Sequence, residues 1–235
     1  MNKAIILVFV FIYLIGINCL VAQNASDVPM NSFPFNVTGQ TFKAYDNRYE
    51  GVKGTNTFLD QFTLGTVELK RGKFDNVYLN YDAYADNLIA INDKIKDTVQ
   101  LRKDMVVRFV LNGVSGNQFP FTKIQLNGTP TFLLNLVNDT ISLYCRISKT
   151  IKRAEIGGAY RISDSRSDEF VTVNTYYVSK RSGEPQEIQK GKKGILQAFP
   201  EFENELSVYL KKNKIDFKDH EEMKLMILYI NSLQN

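Results

Sequence analysis

The sequence predicts an α+β fold that is mainly β: an antiparallel meander of about eight to ten strands, followed by about two to three C-terminal helices. Short segments of alternating apolar and polar residues recur between residues 66 and 189, and turn residues separate them. From Lys192 onward, apolar residues recur with the period of a helix instead. Strands at such regular spacing indicate a curled or barrel-like sheet, with the helices in the same folding unit.

The meander is predicted to open with three strands in residues 66–91. In the second strand, apolar side chains share one face at alternate positions: Val77, Leu79 and Tyr81. Two turns separate the strands, at residues 71–73 and 82–86. Gly72 lies in the first turn and is expected to take a positive φ, which glycine adopts without steric cost.

Further strands are predicted from β-branched and aromatic runs or from clean alternation, at residues 105–111, 119–126, 131–137, 140–148, 170–179 and 185–189. Asn-Gly pairs follow the first two of these segments and are typical of hairpin turns. In the fourth, Leu143 and Cys145 alternate with polar residues, so we expect them to point inward. Residues 149–168 are polar and charged, and they are interpreted as a long loop.

Helical segments are predicted after residue 192. A short one surrounds Ile195, and a second begins at Pro200, whose fixed φ suits the first helical position. The last begins at Asp219, which we expect to cap the helix together with Glu222. Its buried stripe is formed by apolar residues at helical spacing: Met223, Met226, Ile227, Ile230 and Leu233.

Residues 1–22 are predicted to be an export signal. Lys3 provides the positive start, residues 4–15 are uninterruptedly apolar, and Ala22 offers the small residue that a signal peptidase requires. The apolar run is short for a membrane span, so we expect no transmembrane segment in the mature chain. The expected location is therefore the periplasm or the exterior of the cell.

An alternative for the same segment is a lipoprotein attached through Cys19. Asn18 precedes this cysteine, at a position where a small residue is usual. The rest of the chain divides by composition into an extended leader (23–45), a β body (46–191) and a helical cap (192–235).

Few residues offer catalytic or metal-binding chemistry. The chain has one histidine, His220, at the predicted start of the last helix, where a solvated side chain is expected. Cys145 is the single cysteine after the signal and is expected to be buried. Zinc sites need several such ligands, so no cofactor is expected. The net charge of +4 is spread along the chain and does not indicate nucleic-acid binding.

Two sets of side chains are candidate binding residues. Asn80, Asp82 and Asp86 carry oxygen ligands of the kind that calcium prefers, although such residues in a turn also hydrogen-bond the backbone. An aromatic binding face is the second candidate, and its members are Tyr78, Tyr81, Tyr84, Tyr176 and Tyr177. Packing between neighbouring strands is the alternative role for these rings.

The C-terminal run contains a Tyr-Tyr pair at 176–177, a Lys-Lys pair at 192–193, and predicted helix ends at 209–215 and 229–233. In these elements it resembles the tail of a secreted protein family of unknown function that is widespread in Bacteroidota. Similar segments cover most of the mature chain. In this family the last helix usually closes with Tyr-Tyr-Asn, whereas this sequence has Tyr-Ile-Asn at the same place. The resemblance implies an exported, β-rich protein and carries over no active site.

Two short segments resemble sites at which Bacteroidota O-glycosylate exported proteins. They contain Thr98 and Thr140, each between an aspartate and an aliphatic residue. Both threonines are predicted to lie at turns, where a modifying enzyme has access.

These features favour a non-enzymatic binding module that is exported and contacts a protein of the cell envelope. The alternative is a carrier that encloses a small apolar ligand within the curled sheet, with Tyr81 and Leu143 facing the cavity. A third hypothesis is a hydrolase that uses carboxylates such as Asp82 and Asp86.

We expect the exported protein to begin at Gln23, because Ala22 satisfies the requirement of a signal peptidase for a small residue. Intact-mass analysis and N-terminal sequencing of the exported protein test this. A chain that begins with a lipidated Cys19, or one that retains Met1, would contradict it.

Overall fold

The structure is a computed structural model that describes residues 42–45, 49, 51–93, 96–154, 167–181 and 183–234. These residues belong to one compact unit. The predicted signal, Cys19 and most of the predicted leader lie outside them. No helix within the described ranges is long and apolar enough to cross a membrane.

The described strands form one antiparallel sheet of eleven strands. They are β1 (Phe42–Ala44), β2 (Thr63–Leu69), β3 (Gly72–Asp82), β4 (Asn87–Asn92), β5 (Asp97–Leu101), β6 (Val106–Asn112), β7 (Gln118–Leu126), β8 (Thr129–Val137), β9 (Ile141–Lys152), β10 (Glu169–Lys180) and β11 (Gln186–Glu187). The order is β1-β5-β4-β3-β2-β6-β7-β8-β9-β10-β11, so a meander of β2–β5 joins a meander of β6–β11 where β2 pairs with β6. The predicted fold class is confirmed.

The sheet is strongly curled but not closed. Only residues 102–105 connect β5 to β6, although β4, β3 and β2 lie between these two strands in the sheet. So short a connection requires the sheet to bend until both strand ends approach each other. β1 and β11 remain at opposite edges and do not pair.

The β3–β4 turn braces the curled sheet by binding two distant strands. The backbone N–H of Lys149 in β9 donates to the carbonyl of Ala83 at 3.0 Å. The backbone N–H of Phe132 in β8 donates to the Asp86 carboxylate at 3.2 Å. Lys103 pairs with the same carboxylate at 2.8 Å, so the β5–β6 connection is bound at the same point.

An aromatic cluster fills the interior of the curl. Its rings belong to Tyr81, Phe109, Phe121 and Phe132, all almost fully buried. Phe109 and Phe121 stack with centroids 4.8 Å apart, and Tyr81 lies 5.0 Å from Phe121. Phe109 and Phe132 meet edge to face at 5.1 Å.

Helices follow the sheet: α1 (Gly191–Ala198), a 3-10 helix (Pro200–Phe202), α2 (Glu203–Asn213) and α3 (His220–Ser232). Asp219 caps α3 by accepting a hydrogen bond from the Glu222 backbone N–H at 2.9 Å, which confirms the predicted cap. The Glu222 carboxylate accepts from the backbone N–H of Asp216 instead of that of Asp219. The capping pair is therefore not reciprocal.

Asn231 fixes α3 to the sheet. Its side-chain oxygen accepts from the Ile141 N–H at 2.8 Å, and its amide donates to the Ile141 carbonyl at 2.9 Å. The side chain thus replaces a neighbouring strand at the start of β9. All of these groups are buried, so they depend on each other for hydrogen bonds.

Several predicted boundaries were wrong. The first turn lies at residues 70–71, because Gly72 already pairs with Leu69, although its φ of +147° is positive as expected. β9 extends to Lys152, so the first four residues of the predicted loop 149–168 belong to a strand, whereas β10 begins at Glu169, directly after the loop. Pairing of the end of β9 with β10 overrides the polar composition of these four residues. β1 and β5 were not predicted.

We expect Asn231→Ala to lower the free energy of unfolding by about 2–4 kcal/mol, because two buried backbone groups lose their partner. Urea denaturation of the mature chain measures this. The control is Asn213→Ala, which removes an exposed bond to Tyr209 and should change stability by less than about 0.5 kcal/mol. Equal effects of the two variants would contradict the bridging role.

Candidate functional site

The interior of the sheet is not the site that the carrier hypothesis requires. Tyr81 is 1% exposed and Leu143 is fully buried. The Tyr81 ring contacts the three phenylalanines of the aromatic cluster, and its hydroxyl donates to Asp86 at 2.9 Å. Aromatic and apolar side chains therefore occupy the position at which this hypothesis places a ligand.

A groove of about 520 Å³ lies between β10, the segment after β11 and the helices. We call it the cap groove. Its apolar lining comes from β10, from the β11–α1 segment, from α1, and from the start of α3 with the loop before it: Tyr176, Ile188, Ile195, Ile215, Phe217 and Met223. Lys190, Asp216 and Lys218 add charged groups.

Local backbone features hold the walls of the cap groove together. The N–H of Ile188 donates to the Tyr176 carbonyl at 2.8 Å, which fixes the segment after β11 to β10. α1 then begins so close to this segment that a Cβ on Gly194 would lie 1.8 Å from the Gln189 carbonyl oxygen. Only glycine allows this approach, so Gly194 sets the distance between α1 and the other wall.

Tyr176 and His220 form a polar contact behind the groove. The Tyr176 hydroxyl donates to the Lys218 carbonyl at 3.1 Å and lies 2.8 Å from Nδ1 of His220. Burial raises the pKa of Tyr176, so the hydroxyl stays protonated. Burial also lowers the pKa of His220, against the opposing effect of Asp219 and Glu221. His220 lies at the start of α3 as expected, but it is half-buried and not solvated, because its ring packs edge to face against Tyr176 of β10.

Asn174 is a polar residue in the β10 wall. Its side-chain oxygen is buried without a hydrogen-bond partner among the described residues. An unpartnered buried acceptor costs about 1–3 kcal/mol of stability, and such groups are uncommon in native proteins. This wall therefore has an unused acceptor beside an apolar surface.

The predicted calcium residues have separate partners within the protein. Asn80 donates to the carbonyls of Leu59 and Gln61, at 2.8 and 3.2 Å, and anchors the loop before β2. Asp82 accepts from the backbone N–H groups of Tyr84 and Ala85 at 3.0 and 2.9 Å. This is the turn-stabilising role that was the alternative to calcium binding.

Asp86 accepts from Tyr81 and Phe132 and pairs with Lys103, so a cation already neutralises it. Across the parts of the chain that the structure describes, no group of three or more His, Cys, Asp and Glu side chains is suited to hold a metal ion. Neither Asp82 nor Asp86 lines the cap groove. The proposed pair of hydrolytic carboxylates therefore does not coincide with this groove.

The five predicted tyrosines do not share one face. Tyr81 is inside the sheet, whereas Tyr78 points outward from the same strand and is 38% exposed. Tyr176 lines the cap groove, but Tyr177 lies on the opposite face of β10, where its hydroxyl donates to Glu187 at 3.4 Å. Tyr84 is exposed near the β3–β4 turn. Alternation along β3 and β10 separates these side chains.

The two candidate glycosylation residues differ in position. Thr140 is exposed at the turn between β8 and β9, as predicted. Thr98 lies within β5, where it pairs with Ile91 and is half-buried. The predicted turn at Thr98 was therefore wrong.

Comparison of the chain with protein-family models, with curated proteins and with solved structures finds no match.

We expect protein stability to fall as the pH drops below the pKa of an unfolded histidine, about 6.5, because the folded state holds His220 with a lower pKa. In this range the unfolded chain binds more protons, so the free energy of unfolding increases with pH. Above both pKa values the contribution no longer changes.

Denaturation of the wild type and of His220→Gln between about pH 5 and 7.5 tests this prediction. Glutamine keeps a side chain that can hydrogen-bond Tyr176 but does not titrate. As the pH rises, the free energy of unfolding of the wild type should increase relative to that of His220→Gln. A constant difference would contradict the lowered histidine pKa.

Proposed function

We propose that this protein is an exported, non-enzymatic binding module and that the cap groove is its binding site for a small, mainly apolar molecule. The observation that carries the proposal is the groove itself. Its volume of about 520 Å³ falls within the range of about 300–1,000 Å³ that is usual for small-molecule sites.

The composition of the lining supports an amphipathic ligand. Ile215 and Phe217 are half-buried and present apolar surface to the groove, over a floor formed by the nearly fully buried Ile188, Ile195 and Met223. Lys190 and Lys218 offer positive charge to a polar end of the ligand. Apolar walls with a few polar groups are typical of small-molecule sites. In such sites the buried apolar area provides affinity, and the polar contacts orient the ligand.

The titratable groups near the groove favour binding over catalysis. The raised pKa of Tyr176 and the lowered pKa of His220 keep both side chains neutral at neutral pH. The Tyr176 hydroxyl is committed to Lys218 and His220, so it serves to hold α3 against β10. Burial raises the pKa of Cys145 to about 12, which makes its thiol a poor nucleophile.

This proposal combines the two principal hypotheses from the sequence. The protein binds a partner, as in the first, and that partner is a small molecule, as in the second. The ligand lies at the boundary between sheet and helical cap and not within the curled sheet, which the aromatic cluster fills. The predicted signal and the resemblance to a secreted family support the exported location.

The experiment is native mass spectrometry and organic extraction of the mature chain, purified from its own cells, together with titration of an apolar fluorescent dye. Asn174→Trp introduces an indole into the groove wall and should weaken binding at least about tenfold. The matched control is Val171→Trp, which places the same ring on the exposed opposite face of β10 and should bind as the wild type does.

Three results would overturn the proposal. One is the absence of any extracted ligand together with the absence of saturable dye binding. A second is equal binding by the two tryptophan variants when both retain the wild-type circular dichroism spectrum. The third is chemical conversion of the extracted ligand during incubation with the purified protein, because a binding module returns its ligand unchanged.

A further inference from the structure

A second pocket, of about 430 Å³, lies beside the β3–β4 turn. We call it the tyrosine pocket. The residues that line it are Tyr45, Tyr49, Asp82, Tyr84, Ala85, Asn87 and Gln100. It shares no lining residue with the cap groove, so it is a separate site.

Aromatic rings form adjoining walls of the tyrosine pocket. The rings of Tyr49 and Tyr84 lie 5.0 Å apart at 72° to each other, so they meet as a corner. Phe170 supports both rings edge to face, with centroid distances of 5.5 Å to Tyr49 and 5.6 Å to Tyr84. Tyr84 remains 41% exposed, which leaves much of its surface available to a ligand.

The charge at this pocket is a buried carboxylate. Asp82 is 1% exposed and accepts hydrogen bonds from the Tyr45 hydroxyl at 2.9 Å and from the backbone N–H groups of Tyr84 and Ala85. Over the described ranges, no positively charged side chain lies within ion-pair distance of it. Lys149, on the nearby β9, donates to the Thr55 carbonyl and interacts with the Asp82 charge from beyond ion-pair distance.

These two features attract the same kind of ligand. A buried carboxylate with no ion pair among the described residues creates a negative potential that a nearby cation relieves. The faces of tyrosine rings are negative as well and attract cations, most strongly where water is excluded. Tyr45 donates its hydroxyl hydrogen to Asp82 and accepts a hydrogen bond from the Asn56 amide, so its ring is held in place beside the carboxylate.

We propose that the tyrosine pocket binds a small organic ammonium ion. The ligand is not a metal ion, because the carboxylate oxygens already accept three hydrogen bonds and ring faces offer no lone pairs. An alkylated ammonium group contacts the rings of Tyr49 and Tyr84 and receives electrostatic stabilisation from Asp82 through the pocket wall. Asn87 and Gln100 also line the pocket, and their amide groups hydrogen-bond a polar substituent of the ligand.

The test is a titration of the mature chain with choline, followed by NMR or calorimetry. The neutral isostere 3,3-dimethylbutan-1-ol has the same shape without the charge, and we expect it to bind at least about tenfold more weakly. Glucose is titrated in parallel, because a sugar is the other ligand that aromatic rings and amide side chains suit.

Variants test whether choline binds in the tyrosine pocket. Tyr84→Ala removes an exposed ring and should weaken choline binding at least about fivefold. The control is Tyr78→Ala, which removes a similarly exposed tyrosine from the same region of the sheet and should leave binding within about twofold of the wild type. Asp82→Asn keeps the acceptor for the turn but removes the charge, and should weaken choline binding without changing that of the neutral isostere.

Each alternative outcome overturns the proposal. These outcomes are no saturable choline binding up to about 50 mM, equal binding of choline and its isostere, and choline binding that Tyr84→Ala leaves unchanged. Saturable binding of glucose in place of choline would assign the pocket to a neutral sugar. Since Tyr84→Ala alters an exposed side chain, the test remains decisive even where Asp82→Asn fails to fold.

Discussion

The hydrogen bonds of the β3–β4 turn hold the two halves of the curled sheet together. Ala83 and Asp86 bind the backbones of β9 and β8, and Lys103 ties the β5–β6 connection to the same carboxylate. These strands are far apart in the order of the sheet, so their own pairing does not bring them close. The turn replaces the pairing that a closed barrel would have. The aromatic cluster beneath it fills the space that this curvature encloses.

The same curvature determines where a groove remains. Large rings occupy the centre of the sheet, whereas α3 packs against β8 and β9. Asn231 fixes the end of α3 to β9, and Tyr176 holds its beginning through His220. Between these attachments, β10 and the helices stay apart, and the cap groove results. The cap groove is thus a consequence of attaching a helical cap to a sheet whose core is already complete.

The tyrosine pocket also depends on the β3–β4 turn, but in a different way. Asp82 ends β3 and accepts the backbone donors of the turn, so its charge is buried there for structural reasons. The chain before β2 then passes this point and brings Tyr45 and Tyr49 beside Tyr84. A residue that stabilises a turn therefore also creates a negative potential beneath a group of aromatic rings. Two of the three tyrosines come from a segment that the sequence indicated only as leader and loop.

Local patterns in the sequence determined the strands, their alternation and the capped helix at Asp219, because these depend on neighbouring residues. Alternation was sufficient to place Tyr81 and Leu143 inside the sheet. It did not predict the full length of β9 and β10, where mutual pairing extends polar segments as strands. Three features depend on side chains far apart in the chain: the position of His220 against Tyr176, the buried oxygen of Asn174 that has no partner among the described residues, and the two pockets. Only the tertiary structure decided these, because the curl of the sheet and the attachment of the cap bring those residues together.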